Sequence, residues 1–411
     1  MIAPRPAKAD RPPRGSSKVA KPHLLEIAPR PAKTDRPPRG SSKVAKPHLL
    51  ESGAHLASLL GGHDDWPVSA RDWEQLLSQA RRTMLLARLA EMVASRNLQA
   101  LVPTRVQPHL ESAAKVQQRM AQTMRIEVGR ISRLLGREGI PCVLLKGTAY
   151  LSAGLPPSRA RLFGDIDLLV PKADLDRAEA ALLGGGWLST DLGRYNQRYY
   201  REWMHEIPPL THMTRGSIID LHHTIVPPSS VFRVDGAALL SAARRIQGDS
   251  VLFVLQPVDM VLHSAVHLFT EGEFDHGLRD LLDMRDLLLH FGAEEAGFWP
   301  ALVARADELG LQRPLHHAVF HVERQFGALV PAELRAAFNR LRPPWLPRVL
   351  MAKLLLIALR PMDASCQSPG EGLARCLLYL RSHWLRMPLR LLVPHLLRKA
   401  WMSRFPDKAV R

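Results

Sequence analysis

Asp165 and Asp167, in the run Gly164-Asp165-Ile166-Asp167-Leu168-Leu169-Val170, are the residues whose types and spacing speak most directly of chemistry. If the apolar run is a strand, its side chains alternate faces, and two aspartates one residue apart point to the same side. Like charges held that close repel, and a divalent cation is the usual remedy. Mg²⁺ takes hard oxygen ligands, commonly one or two carboxylates plus substrate phosphates. The spacing therefore points to phosphoryl or nucleotidyl transfer. The bland alternative, a polar alternation on a surface strand, fits less well because no polar alternation follows Asp167.

A third acid, Asp220, lies in Ser217-Ile218-Ile219-Asp220-Leu221-His222-His223. An aspartate inside an apolar strand is costly unless paired or metal-bound. If this strand neighbours the first, three carboxylates converge on one or two Mg²⁺ ions, with Mn²⁺ as the alternative. In a two-metal arrangement one ion activates the attacking oxygen and the other steadies the leaving phosphate. His222 shares the face of Asp220 by alternation. It either orients the acid, touches a phosphate, or is a satisfied semi-buried histidine.

Lys146-Gly147-Thr148 ends the strand expected over 140–145. Glycine there would let backbone N–H groups approach a phosphate, and Thr148 would cap the following helix and donate a further hydrogen bond. Arg161, four residues before Asp165, would reach a phosphate or pair with the acidic cluster, with Arg159 as its competitor. Asp259, His263 and His267 recur at helical spacing and could serve Zn²⁺, although polar residues lining a groove are the commoner explanation.

The elements that must hold these groups read as follows. Residues 66–138 are helical, with one long helix from Ser112 to Leu135. Strands follow at 140–145 and 165–170, then a helix over 173–183 stopped by Gly184-Gly185-Gly186. Further strands are expected at 187–190, 209–214 and 217–225. The chain is helical again from Pro257 to about Leu341 and after Pro347. The pattern predicts an α+β chain in which a small mixed sheet is embedded between helical N- and C-terminal regions. The expected divisions are 1–51, a disordered basic tandem repeat; 52–139, helical; 140–230, the α/β core; 231–370, helical; and 371–411, a basic amphipathic segment.

Residues 2–26 and 27–51 are near-identical copies that differ only at Ala9 and Thr34. Their Pro, Lys, Arg and Ser content cannot offset the entropy of ordering. The net charge of +17 sits mostly at the two ends, since residues 1–51 hold 12 Lys/Arg against 4 Asp/Glu and residues 371–411 hold 9 against 2. That placement fits arms touching an anionic surface better than a basic groove through the body. Cys142, Cys366 and Cys376 are too few and too scattered for a disulfide framework or a zinc motif. No apolar run approaches the roughly 18 residues of a membrane-spanning helix, and no secretory signal is legible. A cytoplasmic protein, with peripheral contact at the inner face of the membrane through its basic termini, is the expectation.

Leu145-Lys146-Gly147, then Arg161-x-x-x-Asp165-Ile166-Asp167-Leu168-Leu169-Val170, then Ile219-Asp220-Leu221-His222 resembles the uncharacterised bacterial nucleotidyltransferase family within the polymerase-β-type superfamily. The resemblance covers about residues 66–300. By position, Gly147 and Thr148 match the superfamily's turn, Asp165 and Asp167 its metal pair, and Asp220 its third acid. Arg161 matches an arginine that this family places before the pair. Thr148 stands where the superfamily usually has Ser, and the hydroxyl is kept. The resemblance implies a nucleotidyltransferase domain, Mg²⁺ dependence and a nucleoside triphosphate such as ATP. Asp165, Asp167 and Asp220 are then catalytic and metal-binding. Lys146, Gly147, Thr148, Arg161 and His222 are nucleotide-binding, and the stretch Leu278-Arg279-Asp280-Leu281-Leu282-Asp283 helps wall the cleft. The implied reaction moves a nucleoside monophosphate to a hydroxyl on an unidentified acceptor: small molecule, glycan, protein or RNA. The rival from another class is a catalytically silent binding or scaffold protein on the same fold.

Overall fold

Stretches that are apolar on both faces build the middle of the sheet, as expected where a strand is covered on both sides. Strands β1 (Cys142–Leu144) and β2 (Ile166–Leu169) are buried at every position. The computed structural model describes residues 54–62, 66–189, 194–388 and 390–394, so the predicted disorder of the tandem repeat and the segment after residue 394 lie outside the described residues. All described residues belong to the unit that runs from His48 to Arg411.

Beside β1 and β2 stand β3 (Trp187–Ser189), β4 (Leu210–His212), β5 (Ile218–His222), β6 (Arg244–Arg245) and β7 (Leu252–Val254), in the order β3-β4-β5-β2-β1-β7-β6. β2 is antiparallel to β1 but parallel to β5, and β7 is parallel to β1. The expected α+β class with a mixed sheet between helical regions is what the chain forms. The expected core boundary at residue 230 falls inside the sheet, because β6 and β7 follow it. Strands of two and three residues are too short to show an alternation in sequence.

Helices α1 (Ala54–Gly61), α2 (Ala70–Arg82), α3 (Leu86–Ser95) and α4 (Gln107–Arg137) precede the sheet. Ser69 and Asp72 close a reciprocal capping box at the start of α2. Within the sheet region come α5 (Lys146–Ser152), α6 (Leu175–Gly184), α7 (Arg194–Trp203) and α8 (Gly236–Ser241). α7, whose Tyr199 packs against Tyr200 and Trp203, is not among the elements expected from sequence. After β7 come α9 (Pro257–Thr270), α10 (Gly277–Glu294), α11 (Phe298–Glu308), α12 (Gln312–Phe326), α13 (Arg335–Arg340), α14 (Trp345–Ala358) and α15 (Glu371–Arg386). Pro257 opens α9 at a position where a missing N–H costs nothing. Among the described residues no helix is long and apolar enough to cross a membrane.

One apolar cluster runs from α4 through the sheet into α9–α12, α14 and α15. A second joins α1–α3 to Leu278 and Leu282 of α10. α4 and α10 thus belong to both, and together they tie the N-terminal helices to the sheet. Glu127 of α4 pins the β4–β5 hairpin. Burial raises its pKa, but the hydrogen bonds from Arg215, Arg130 and Ser217 outweigh that and lower it. Arg215 Nε lies 2.7 Å away and Ser217 Oγ 3.1 Å.

Candidate active site

The β2–β5 pairing positions the acids. In that parallel ladder Asp167 is opposite Asp220, so both side chains project from the same face of the sheet. Asp165 precedes β2 and is exposed at the mouth, whereas Asp167 is buried and Asp220 half-buried. Ligand oxygens of the three lie within 4.8 Å of one another, a group that could hold a metal ion. Asp220 Oδ1 is buried without a hydrogen-bond partner. Burial, then the charges of Asp167, Glu206 and Asp165, push the Asp220 carboxyl up to about 8.

Lys146 and His222 compensate Asp167. Lys146 Nζ is 2.9 Å from Asp167 Oδ1, and His222 Nε2 is 3.3 Å from the same oxygen. Burial alone would raise the Asp167 pKa, but these two partners hold it far below the usual carboxylate range. Lys146 is desolvated too, yet Asp167, Glu271 and Asp165 raise its pKa above the ordinary lysine value. Its backbone sits at φ 46°, in the left-handed region. For a side chain with a Cβ that conformation costs about 1 kcal/mol, which the ion pair over-determines. The turn is fixed from the other side by the Leu145 amide, which donates to the Asp167 carbonyl at 3.0 Å.

Glu206 is a site residue that the sequence reading missed. It bridges antiparallel to His222, and Leu210 pairs with Ile219, so the 206–210 segment carries one extra residue. Pro208 and Pro209, which lack the N–H a ladder needs, occupy that bulge. Antiparallel partners share a face, and Glu206 Oε2 lies 3.3 Å from His222 Nδ1. His222 therefore stands between two carboxylates. Burial lowers its pKa, but Asp167 and Glu206 together raise it, which favours the imidazolium. His205, Glu206 and His222 form a second group that could hold a metal ion, and His205 Nδ1 has no hydrogen-bond partner. Glu271 was also missed. It pairs with His267 Nδ1 at 2.7 Å. Burial raises its pKa, but His267 and Lys146 bring it below its ordinary range. The one available signal was Glu206 itself, an acid just ahead of the Pro208-Pro209 pair. Glu271 had none, since it follows the last residue of α9.

Two expected nucleotide contacts, Thr148 and Arg161, have partners within the chain, and Gly147 has a second role in packing. Thr148 is buried and its hydroxyl donates back to the Leu145 carbonyl at 3.0 Å, so it is not presented to a ligand. Arg161 turns its guanidinium to α10, where it pairs with Asp283 and lies 3.6 Å from Asp280. Gly147 makes room for that arginine. A Cβ there would sit 3.0 Å from Arg161 Nε and 3.4 Å from Phe163 Cδ1. The glycine thus serves packing behind the turn. Asp259, His263 and His267 do not gather either. Asp259 accepts from Arg305 Nε at 2.8 Å and Nη2 at 3.1 Å, while His267 takes Glu271.

The family model for the uncharacterised nucleotidyltransferases matches residues 69–327. The chain belongs to that family. No curated protein and no solved structure matches it. The match starts at the cap of α2 and ends just after α12, so it takes in the whole sheet, the acid trio, Glu206 and the two helices, α4 and α10, that both apolar clusters share. The nucleotidyltransferase assignment supports a role in nucleotidyl transfer, and α13–α15 lie outside the matched span.

Proposed function

We propose that the chain is a Mg²⁺-dependent nucleotidyltransferase, with Mn²⁺ as the alternative ion, that moves a nucleoside monophosphate from a nucleoside triphosphate to an acceptor hydroxyl. The observation that carries this reading is the register that sets Asp167 opposite Asp220 with Asp165 beside them. The donor set fits a hard cation: three carboxylates, one with an orphaned buried oxygen, in mutual repulsion that a divalent ion would relieve. When bound there, the ion would neutralise charge developing on the phosphates.

The chain's own groups have separate tasks. Asp167 Oδ1 is held by Lys146 and His222, which fixes the carboxylate and leaves Oδ2 for the cation. Lys146 also places a positive charge next to where the triphosphate must lie. Glu206, 3.3 Å from His222 Nδ1, favours the charged imidazolium by its charge. Asp220, freed of its own proton when the cation binds, accepts the proton of the attacking hydroxyl. The acceptor oxygen bonds to the α-phosphorus, the bond from that phosphorus to the pyrophosphate oxygen breaks, and pyrophosphate leaves. Positioning and charge neutralisation supply most of the rate in such transfers.

One observation favours the silent rival: Lys146 and His222 already compensate Asp167 with no metal. The deciding experiment supplies purified chain, Mg²⁺, α-labelled nucleoside triphosphates and cell extract, with Asp165→Ala/Asp167→Ala as control. Transfer of label by wild type but not by the variant supports the enzyme. Equal absence of triphosphate binding and label transfer in both supports the scaffold.

A further inference from the structure

The last two helices turn apolar side chains outward. α14 exposes Trp345, Leu346, Val349 and Leu350, and α15 exposes Leu373, Leu377, Leu380 and Trp384. On α15 the spacing of four, three and four residues is a single helical stripe. The adjoining face already has partners, since Ala374, Leu378 and Leu385 are buried. The helix is also fastened to the body. The Val231 amide donates to the Leu385 carbonyl at 2.9 Å, Ser229 Oγ to the Arg386 carbonyl at 2.8 Å, and Arg381 Nη1 to the Phe269 carbonyl at 2.7 Å. α14 and α15 pack against each other. The outward stripes are therefore surplus to the core, and apolar exposure on that scale marks an interaction surface.

Charge says what covers it. Arg348, Lys353 and Arg390 have no carboxylate of the described residues within ion-pair distance, whereas Arg386 is turned towards Glu271. Between residues 345 and 394 the only acids are Asp363 and Glu371. Asp363 is buried and accepts from Ser78, Arg82 and Ser365, and Glu371 pairs with Arg375. The pair of helices thus offers Leu and Trp side chains, open cations and no open anion. That is the composition of helices that lie in the interfacial plane of an anionic bilayer, with aromatic and aliphatic groups inserted and basic groups at the phosphates. We propose that the α14–α15 surface docks the protein on an anionic lipid bilayer. The inference is independent of the catalytic reading, because none of these residues touches the acid trio.

The test is flotation of the full chain with phosphatidylcholine vesicles, with and without phosphatidylglycerol. Wild type should bind the anionic vesicles at least about tenfold better than the neutral ones. Leu377→Ser/Trp384→Ser should weaken that binding by about tenfold with an unchanged far-ultraviolet circular dichroism spectrum. Arg348→Gln/Lys353→Gln, which removes only surface charge, should weaken it by a smaller factor. Deleting residues 1–51 should leave it largely intact. The proposal is overturned by equal binding to both vesicle types, or by loss of binding on deleting 1–51 with no effect of the helix variants. It is also overturned if there is no vesicle binding and light scattering shows a dimer that Leu377→Ser/Trp384→Ser disperses, since a second copy then covers the surface.

Discussion

The acidic cleft and the C-terminal helix pair handle charge in opposite ways. In and behind the cleft the described cations pair with carboxylates: Lys146 with Asp167, Arg161 with Asp283, Arg279 with Asp280, Arg285 with Asp286, His267 with Glu271. The described acids left there without a cationic partner are Asp165 and Asp220. On α14 and α15 the surplus is positive and lies beside exposed apolar groups. A net charge of +17 is therefore a poor guide to either region. One has the donor chemistry to hold a cation, the other the surplus charge to meet an anion.

Mutations should separate the two regions. The largest effect is expected from Asp165→Ala/Asp167→Ala, which should lower nucleotide transfer by at least about 10³-fold while leaving vesicle flotation unchanged. A double variant that loses both activities would tie the regions together. Next comes Arg161→Met. It strands Asp283 in a nearly buried site, while Asp280 keeps Arg279, and should cost about 3 kcal/mol in denaturant unfolding. The surviving folded fraction should show a KM for the triphosphate within about threefold of wild type. Normal stability with a much higher KM would return Arg161 to the phosphate.

A smaller effect is the pH dependence of the cleft. The Asp220 carboxyl stands at about 8 in the fold against an ordinary 3.8. The folded state thus holds the proton more tightly than the unfolded one, so this group's stabilising share is full below 3.8 and is lost as pH rises towards about 8. A bound cation competes for the same oxygens, so Mn²⁺ affinity should climb from pH 6 to about 8 and then level, with proton release in unbuffered titrations. Asp220→Asn should flatten that slope; a slope that persists in the variant assigns the proton elsewhere. The smallest expected effect is Glu206→Gln, about threefold on transfer, because it acts only through the charge of His222.

The sequence carried the acid trio because strand alternation and apolar flanks are local properties, and Asp165, Asp167 and Asp220 each sit next to such a run. Their meeting needed the β2–β5 register, which no local pattern specifies. The parts that stayed illegible depend on partners remote in the chain. Arg161 chose α10, more than a hundred residues away, over the neighbouring acids. Gly147 proved to make space for that arginine. Glu206 entered the site through a proline bulge that has no periodic signature, and β6 and β7 are shorter than one alternation.

The central claim is that Asp165, Asp167 and Asp220 act together as a cation site. The most direct check is the electron paramagnetic resonance signal of free Mn²⁺ titrated with the chain and a nucleoside triphosphate, for wild type and Asp220→Asn at pH 8. The account predicts that wild type depletes the signal and that the variant binds at least about 30-fold more weakly. Equal depletion by the two proteins would contradict it.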